Sequence, residues 1–251
     1  MIRNMFFRKE SDPTVCISFP KSGRTWVRFA MHVAGANVRF SHAGYGTKGV
    51  EEIGELFEEL KTEHFGKRNV LLYRNPLDVA VSMFYQINNR NFAPTAPDYD
   101  AIRDKLVELD RLPPPTIDAF VLDPVWGCGN IAAFNRAHLN HFADQDDFLA
   151  VRYEDLAADP HTHFSRLLDF ARVKGYDIER VVEDSSFNKM RALEMRADHK
   201  QRREHKLYGL KDSDENTLKV RKGTVRGYVD VLQPETIEQA AKICADFGLK
   251  I

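Results

Sequence analysis

Cysteine is scarce in this chain. Three residues, Cys16, Cys128 and Cys244, lie far apart among 251 and form no C-x-x-C pair. That excludes a disulfide framework and predicts buried free thiols in a reducing compartment. Long apolar runs are missing too: no stretch of 18 residues is apolar throughout, so no membrane span is expected. The opening MIRNMFFRKE has too short an apolar core for a signal peptide. Neither sign of charge is in excess, with Lys+Arg 36 against Asp+Glu 37. A chain so balanced lacks the basic surface that binds nucleic acid or an anionic membrane. No internal repeat and no low-complexity tract occurs. The exclusions leave one globular domain over residues 1–251, without nucleic-acid or membrane partners. A cytoplasmic location follows as the expectation, and the oligomeric state stays open. The hydrophobic share of 43% suits such a domain.

What is present is an alternation of strand and helix signals. Short apolar runs at Val15–Phe19, Val38–His42, Val70–Tyr73 and Phe148–Val151 read as strands, the buried runs of a parallel sheet. Helical periodicity marks Val50–Glu63, Gly129–Phe142, His161–Val173, Ile178–Val182 and Pro234–Phe247. Asn75-Pro76 opens a further helix, with Asn as N-cap, Pro at the first position and Asp78 in the first turn. Residues 90–116, rich in proline around a short helical pattern, read as an irregular cover. The fold class expected is α/β with three layers and a central parallel sheet. Lys21, His42, Arg74 and Tyr153 each follow a predicted strand. Ligands of such sheets bind at the carboxyl ends of the strands, so these four side chains should converge on one edge.

The chemistry concentrates in VCISFPKSGRTWVRFAMHVA, residues 15–34. A strand enters the turn Pro20-Lys21-Ser22-Gly23. A helix then carries Trp26, Phe29, Ala30, Val33 and Ala34 on one face. This P-loop-like strand–loop–helix builds an anion site: helix N-terminal amides lack partners and carry partial positive charge. Gly23 permits close backbone approach. Lys21 adds a charge, and Ser22 and Thr25 add hydroxyl donors. The Walker A pattern is absent, because the lysine precedes the glycine and a second glycine is missing.

Phe19-Pro20-Lys21-Ser22-Gly23-Arg24-Thr25-Trp26 resembles the 5′-phosphosulfate loop of the PAPS-dependent sulfotransferases, usually Tyr-Pro-Lys-Ser-Gly-Thr-Thr-Trp; six of eight positions agree. Three more segments follow in the family's order. Val70 to Ser82 is similar to its 3′-phosphate motif, which assigns Arg74 and Ser82 to that phosphate. Val151-Arg152-Tyr153-Glu154-Asp155 resembles its Tyr-Glu-Asp strand end, and Ser185-Ser186-Phe187 its Thr-Ser-Phe. The resemblance implies that Trp26, Tyr153, Ser185 and Phe187 surround the adenine. Val220-Arg221-Lys222-Gly223 resembles the loop over the 3′-phosphate. There Arg226-Gly227-Tyr228 replaces the usual Gly-Asp-Trp or Gly-Gly-Trp, so Arg226 stands for a glycine.

The resemblance implies transfer of a sulfuryl group from PAPS to a hydroxyl, or an amine, of a small acceptor, leaving PAP and using no metal. Lys21, Ser22, Gly23, Arg24, Thr25 and Trp26 would hold the 5′ end, with Lys21 also catalytic. The family's base is a His ending a strand in a Ser-His context, which Phe40-Ser41-His42 matches. His64 is the competitor, and some branches use a Glu. A non-catalytic PAP-binding protein and a divergent nucleotide kinase are the alternatives. The acceptor has no transferable code; Tyr45, the region 84–120 and the basic run 189–206 should set it.

Overall fold

The computed structural model describes residues 14–42, 68–88, 99–108, 110–195 and 223–251. Four strands form a parallel sheet: β1 (Thr14–Ile17), β2 (Val38–Ser41), β3 (Asn69–Tyr73) and β4 (Phe148–Arg152), in the order β2-β1-β3-β4. Cys16 pairs with Phe40 on one side and Val70 on the other, and Leu71 pairs with Ala150. β1 is buried throughout and β3 in all but its last residue, as central parallel strands must be. The edge strand β2 is only half-buried.

Successive strand residues face opposite sides of a sheet, so each strand feeds two cores. Val15, Ile17 and Leu71 point to one side. There they meet Leu77 and Val81 of α2 (Pro76–Gln86), Phe120 of α4 (Ile117–Leu122), Ile131 and Phe134 of α5 (Cys128–Phe142), and Cys244 of α10 (Pro234–Asp246). Cys16, Val70, Leu72 and Val151 point to the other. There they pack on Val27 and Met31 of α1 (Arg24–Val33), Leu156 of α6 (Tyr153–Ala158), Phe164 of α7 (Pro160–Phe170) and Val181 of α8 (Ile178–Asp184). Full burial of one such Leu or Phe contributes about 1.5–3 kcal/mol. The three-layer α/β expectation is met. The remaining elements are α3 (Tyr99–Glu108), α9 (Phe187–Met195) and a 3₁₀ turn, Gly227–Asp230.

The order of the strands positions the site. From β1 the chain moves outward to β2, then returns to add β3 on β1's other side. The helix following β1 covers one face and the helix following β3 covers the opposite face. A crevice therefore opens between the carboxyl ends of β1 and β3, where ligands of open α/β sheets bind.

Local expectations hold with shifts of a residue or two. Asn75 caps α2, its side chain accepting from the Leu77 N–H at 2.9 Å, with Pro76 in the first turn. The first strand ends at Ile17 rather than Phe19. A helix at Ile117–Leu122, capped by Thr116, was not legible from periodicity because it is under two turns long. Within the span read as irregular cover, Tyr99–Glu108 is helical. All three cysteines are free and buried. The predicted helix at 50–63, together with Tyr45, His64, Arg221 and Lys222, lies outside the described residues. No described helix is long and apolar enough to cross a membrane.

Candidate active site

The turn after β1 is held by its own backbone. The Trp26 and Val27 amides donate to the Gly23 carbonyl at 3.0 and 3.3 Å, starting α1. Gly23 has φ 96°, and no side chain caps this helix. A Cβ at residue 23 would stand 2.4 Å from Cδ2 of Tyr153, so glycine is required by both conformation and space. Lys21, also left-handed at φ 70°, extends its Nζ to 3.4 Å from Oε1 of Gln86.

Arg74, just past β3, ties three segments together. Its guanidinium donates to the Thr224 carbonyl at 2.8 Å and the Lys21 carbonyl at 3.4 Å. It also pairs with Asp78 at 3.5 Å and lies 4.3 Å from the centre of the Tyr153 ring. Tyr153, nearly buried, donates its hydroxyl to the Gly223 carbonyl at 3.1 Å. Burial raises its pKa above the ordinary phenol value, which keeps it a neutral donor. Trp26 packs edge-on against Tyr153 at 5.8 Å between centroids. Phe187 lies beneath Gly223, whose added Cβ would come within 2.6 Å of the ring. Glu154 accepts from the Asn75 amide at 2.8 Å and from Arg152 Nε at 3.0 Å, which joins the ends of β3 and β4.

Asp78 does more than open its helix. It is 4% exposed, and its two oxygens accept from the amides of Arg226 at 2.9 Å and Tyr228 at 3.2 Å. The sequence reading of Asp78 as a helix-start carboxylate is therefore incomplete: this side chain fastens the C-terminal segment to the site. Arg226 occupies φ 60°, so a residue with a side chain keeps the conformation a glycine would take.

His42 follows β2. Its Nδ1 lies 2.6 Å from the Ser18 carbonyl, so Nδ1 carries the proton and donates it, which puts the lone pair of the neutral ring on Nε2. Burial pushes its pKa down to about 4; the Ser18 bond opposes this, while Arg24 and Arg28 add to it. The ring is thus neutral at physiological pH.

These groups surround one cavity of about 540 Å³. From the first loop and α1 it is lined by Lys21, Gly23, Arg24, Thr25 and Trp26. His42 and Arg74 line it from the ends of β2 and β3, and Ser82 from α2. Tyr153, Phe187 and Gly223 close it. The convergence expected of Lys21, His42, Arg74 and Tyr153 is met. Ser22 and Ser185 do not line the cavity; both are fully buried, and neither hydroxyl has a hydrogen-bond partner among the described residues. Arg28, Asp78 and Gln86 line it without having been singled out as ligands. Spacing held the signal: Arg28 is one turn past Arg24, and Asp78, Ser82 and Gln86 succeed one another at i+4. Among the described residues no group of three or more His, Cys, Asp or Glu is placed to hold a metal ion.

The profile of the sulfotransferase domain matches residues 57–247 of the chain, more than half of it. No curated protein matches. Solved structures share the fold. Mouse sulfotransferase SULT7A1 complexed with PAP aligns with a TM-score of 0.58 and 19% identity, covering 96% of this chain and 86% of that one. Retinol dehydratase with androsterone and inactive cofactor PAP aligns at 0.53 and 16%, covering 94% and 80%. The same enzyme with retinol and PAP aligns at 0.53 and 16%, covering 94% and 82%.

Proposed function

The chain belongs to the sulfotransferase domain family, and we propose that it acts as a single domain transferring the sulfuryl group of PAPS to a hydroxyl of a small acceptor. The observation that carries this reading is the convergence of Lys21, His42, Arg74 and Tyr153 from four strand ends on one cavity.

In this reading the 5′-phosphosulfate lies over the turn from Lys21 to Thr25, against the α1 N-terminus. Arg74, Ser82, Arg221, Lys222 and Gly223 take the 3′-phosphate. Trp26, Tyr153 and Phe187 flank the adenine with Ser185 behind them, aromatic faces being apt for a base. His42 Nε2 accepts the acceptor's hydroxyl proton as its oxygen attacks sulfur. The bond between sulfur and the bridging phosphate oxygen breaks in line. Lys21 stabilises the negative charge left on that oxygen, and PAP departs. Positioning and charge stabilisation supply most of such catalysis.

The test is incubation with labelled PAPS and a panel of phenols, alcohols and amines in EDTA, following PAP release and labelled product, beside calorimetry of PAP and ATP. Metal-independent PAP binding and labelled product are expected. A strict magnesium requirement, or preference for ATP over PAP, points to a nucleotide kinase. PAP binding without any transfer points to a non-catalytic nucleotide-binding protein.

A further inference from the structure

We propose that the acceptor carries an anionic group, a carboxylate, sulfate or phosphate, near the hydroxyl it presents, and that Arg24 and Arg28 hold that group. The inference rests on the sulfotransferase reading and narrows its acceptor class.

Arg24 and Arg28 lie one turn apart on α1, and both line the cavity. Each is half-buried. Like charges at this spacing on a helix repel. Among the described residues no carboxylate pairs with either. Burial, with the Arg28 charge adding to it, pulls the Arg24 guanidinium down to about 10; the nearby thiol of Cys16 is neutral, its pKa raised to about 12. The one described carboxylate of the cavity, Asp78, is already paired with Arg74, so two partly desolvated cations are left to face the cavity as a receptor for an anion.

Position assigns the anion to the acceptor. The Arg28 guanidinium lies 4.9 Å from the centre of the Phe40 ring in β2, the strand that ends at His42. Both arginines act electrostatically on His42. Arg74, Tyr153 and Gly223, which are read as ligands of the cofactor's 3′-phosphate and adenine, gather at the ends of β3 and β4 on the far side of β1. The pair therefore stands on the side of the base. Arg24 adds a charge where the family's usual loop has threonine, and Arg28 lies beyond that loop, so the paired charge is a feature of this chain. Met83 lines the same cavity and suits an apolar body on the acceptor.

The 5′-phosphosulfate offers the same anion chemistry from the donor, and the experiment separates the two sources. Matched pairs such as 4-hydroxybenzoate with 4-hydroxybenzamide, and 4-hydroxyphenylacetate with its amide, are compared as acceptors. They are also titrated into the PAP-loaded protein by calorimetry, for the wild type, Arg28→Gln and Arg28→Lys. The acid is expected to exceed its amide by about tenfold or more in kcat/KM or affinity in at least one pair. In Arg28→Gln that ratio falls toward one, and Arg28→Lys keeps part of it. PAP and PAPS affinities stay within a few fold in all three proteins, which also reports their folding. Equal acid and amide in every pair, no binding of either to the PAP-loaded protein, or a ratio indifferent to Arg28→Gln overturns the inference. So does a loss of PAP or PAPS affinity in Arg28→Gln, which gives the anion to the donor. A wild-type protein that fails to bind PAP brings down the sulfotransferase reading itself. PAP binding without acid preference brings down this inference alone.

Discussion

Gly23 and Tyr153 are in contact across the strand ends: a methyl group on residue 23 would stand 2.4 Å from Cδ2 of the ring. The phosphate-loop candidate and the aromatic wall are therefore one packed unit. Gly23→Ala meets this ring and is also strained at φ 96°. A loss of about 1–3 kcal/mol in stability is expected, with weakened PAP binding. Urea unfolding and PAP calorimetry check it, and an unchanged midpoint would mean that the ring yields freely.

Asp78 gives a second structural test. It accepts the Arg226 and Tyr228 amides and pairs with Arg74 at 3.5 Å, all from a nearly buried position. Asp78→Ala strips these partners together, and a destabilisation of about 3–5 kcal/mol is expected. A shift below about 1 kcal/mol in urea unfolding would show that the C-terminal segment is held otherwise.

Much of this arrangement was legible in the sequence, for definite reasons. Val70, Leu71 and Leu72 form an apolar run because β3 is buried on both faces. Asn75 and Pro76 announce their helix through local capping chemistry. What escaped was long-range or short. The bonds from Asp78 to residues 226 and 228 span about 150 positions, and no periodicity encodes them. Nothing in the helical period sets Arg28 apart from other polar residues; its place beside β2 and the cavity does. The six-residue helix Ile117–Leu122 is too short to display its period.

Arg74→Ala is expected to weaken PAP more than adenosine 5′-phosphosulfate, since the second ligand lacks a 3′-phosphate. Losing a charge-assisted contact amounts to about 1.5–3 kcal/mol. Because Arg74 also binds the Lys21 and Thr224 carbonyls, some loss for both ligands is expected. Calorimetry with the two ligands measures the difference, and equal weakening contradicts the 3′-phosphate assignment.

The pH dependence follows from His42. Burial depresses its pKa from 6.5 to about 4 in the folded protein. A depressed histidine contributes stability above its unfolded value, and that contribution is lost as pH falls from 6.5 toward about 4. The base likewise stays unprotonated, so kcat/KM should show no histidine limb near 6.5 and decline only near 4. Urea midpoints between about pH 7.5 and about pH 5 should fall more for the wild type than for His42→Gln. Equal slopes, or a limb near 6.5, would contradict the buried neutral ring.

The most direct test of sulfuryl transfer with His42 as base is turnover of labelled PAPS by the wild type and His42→Gln, measured beside PAP affinity with an accepted hydroxyl substrate. The account predicts a loss on the order of 10²–10⁴ in kcat for His42→Gln, with the PAP Kd within a few fold. Retained turnover in His42→Gln, or a matching loss of PAP affinity, would contradict it.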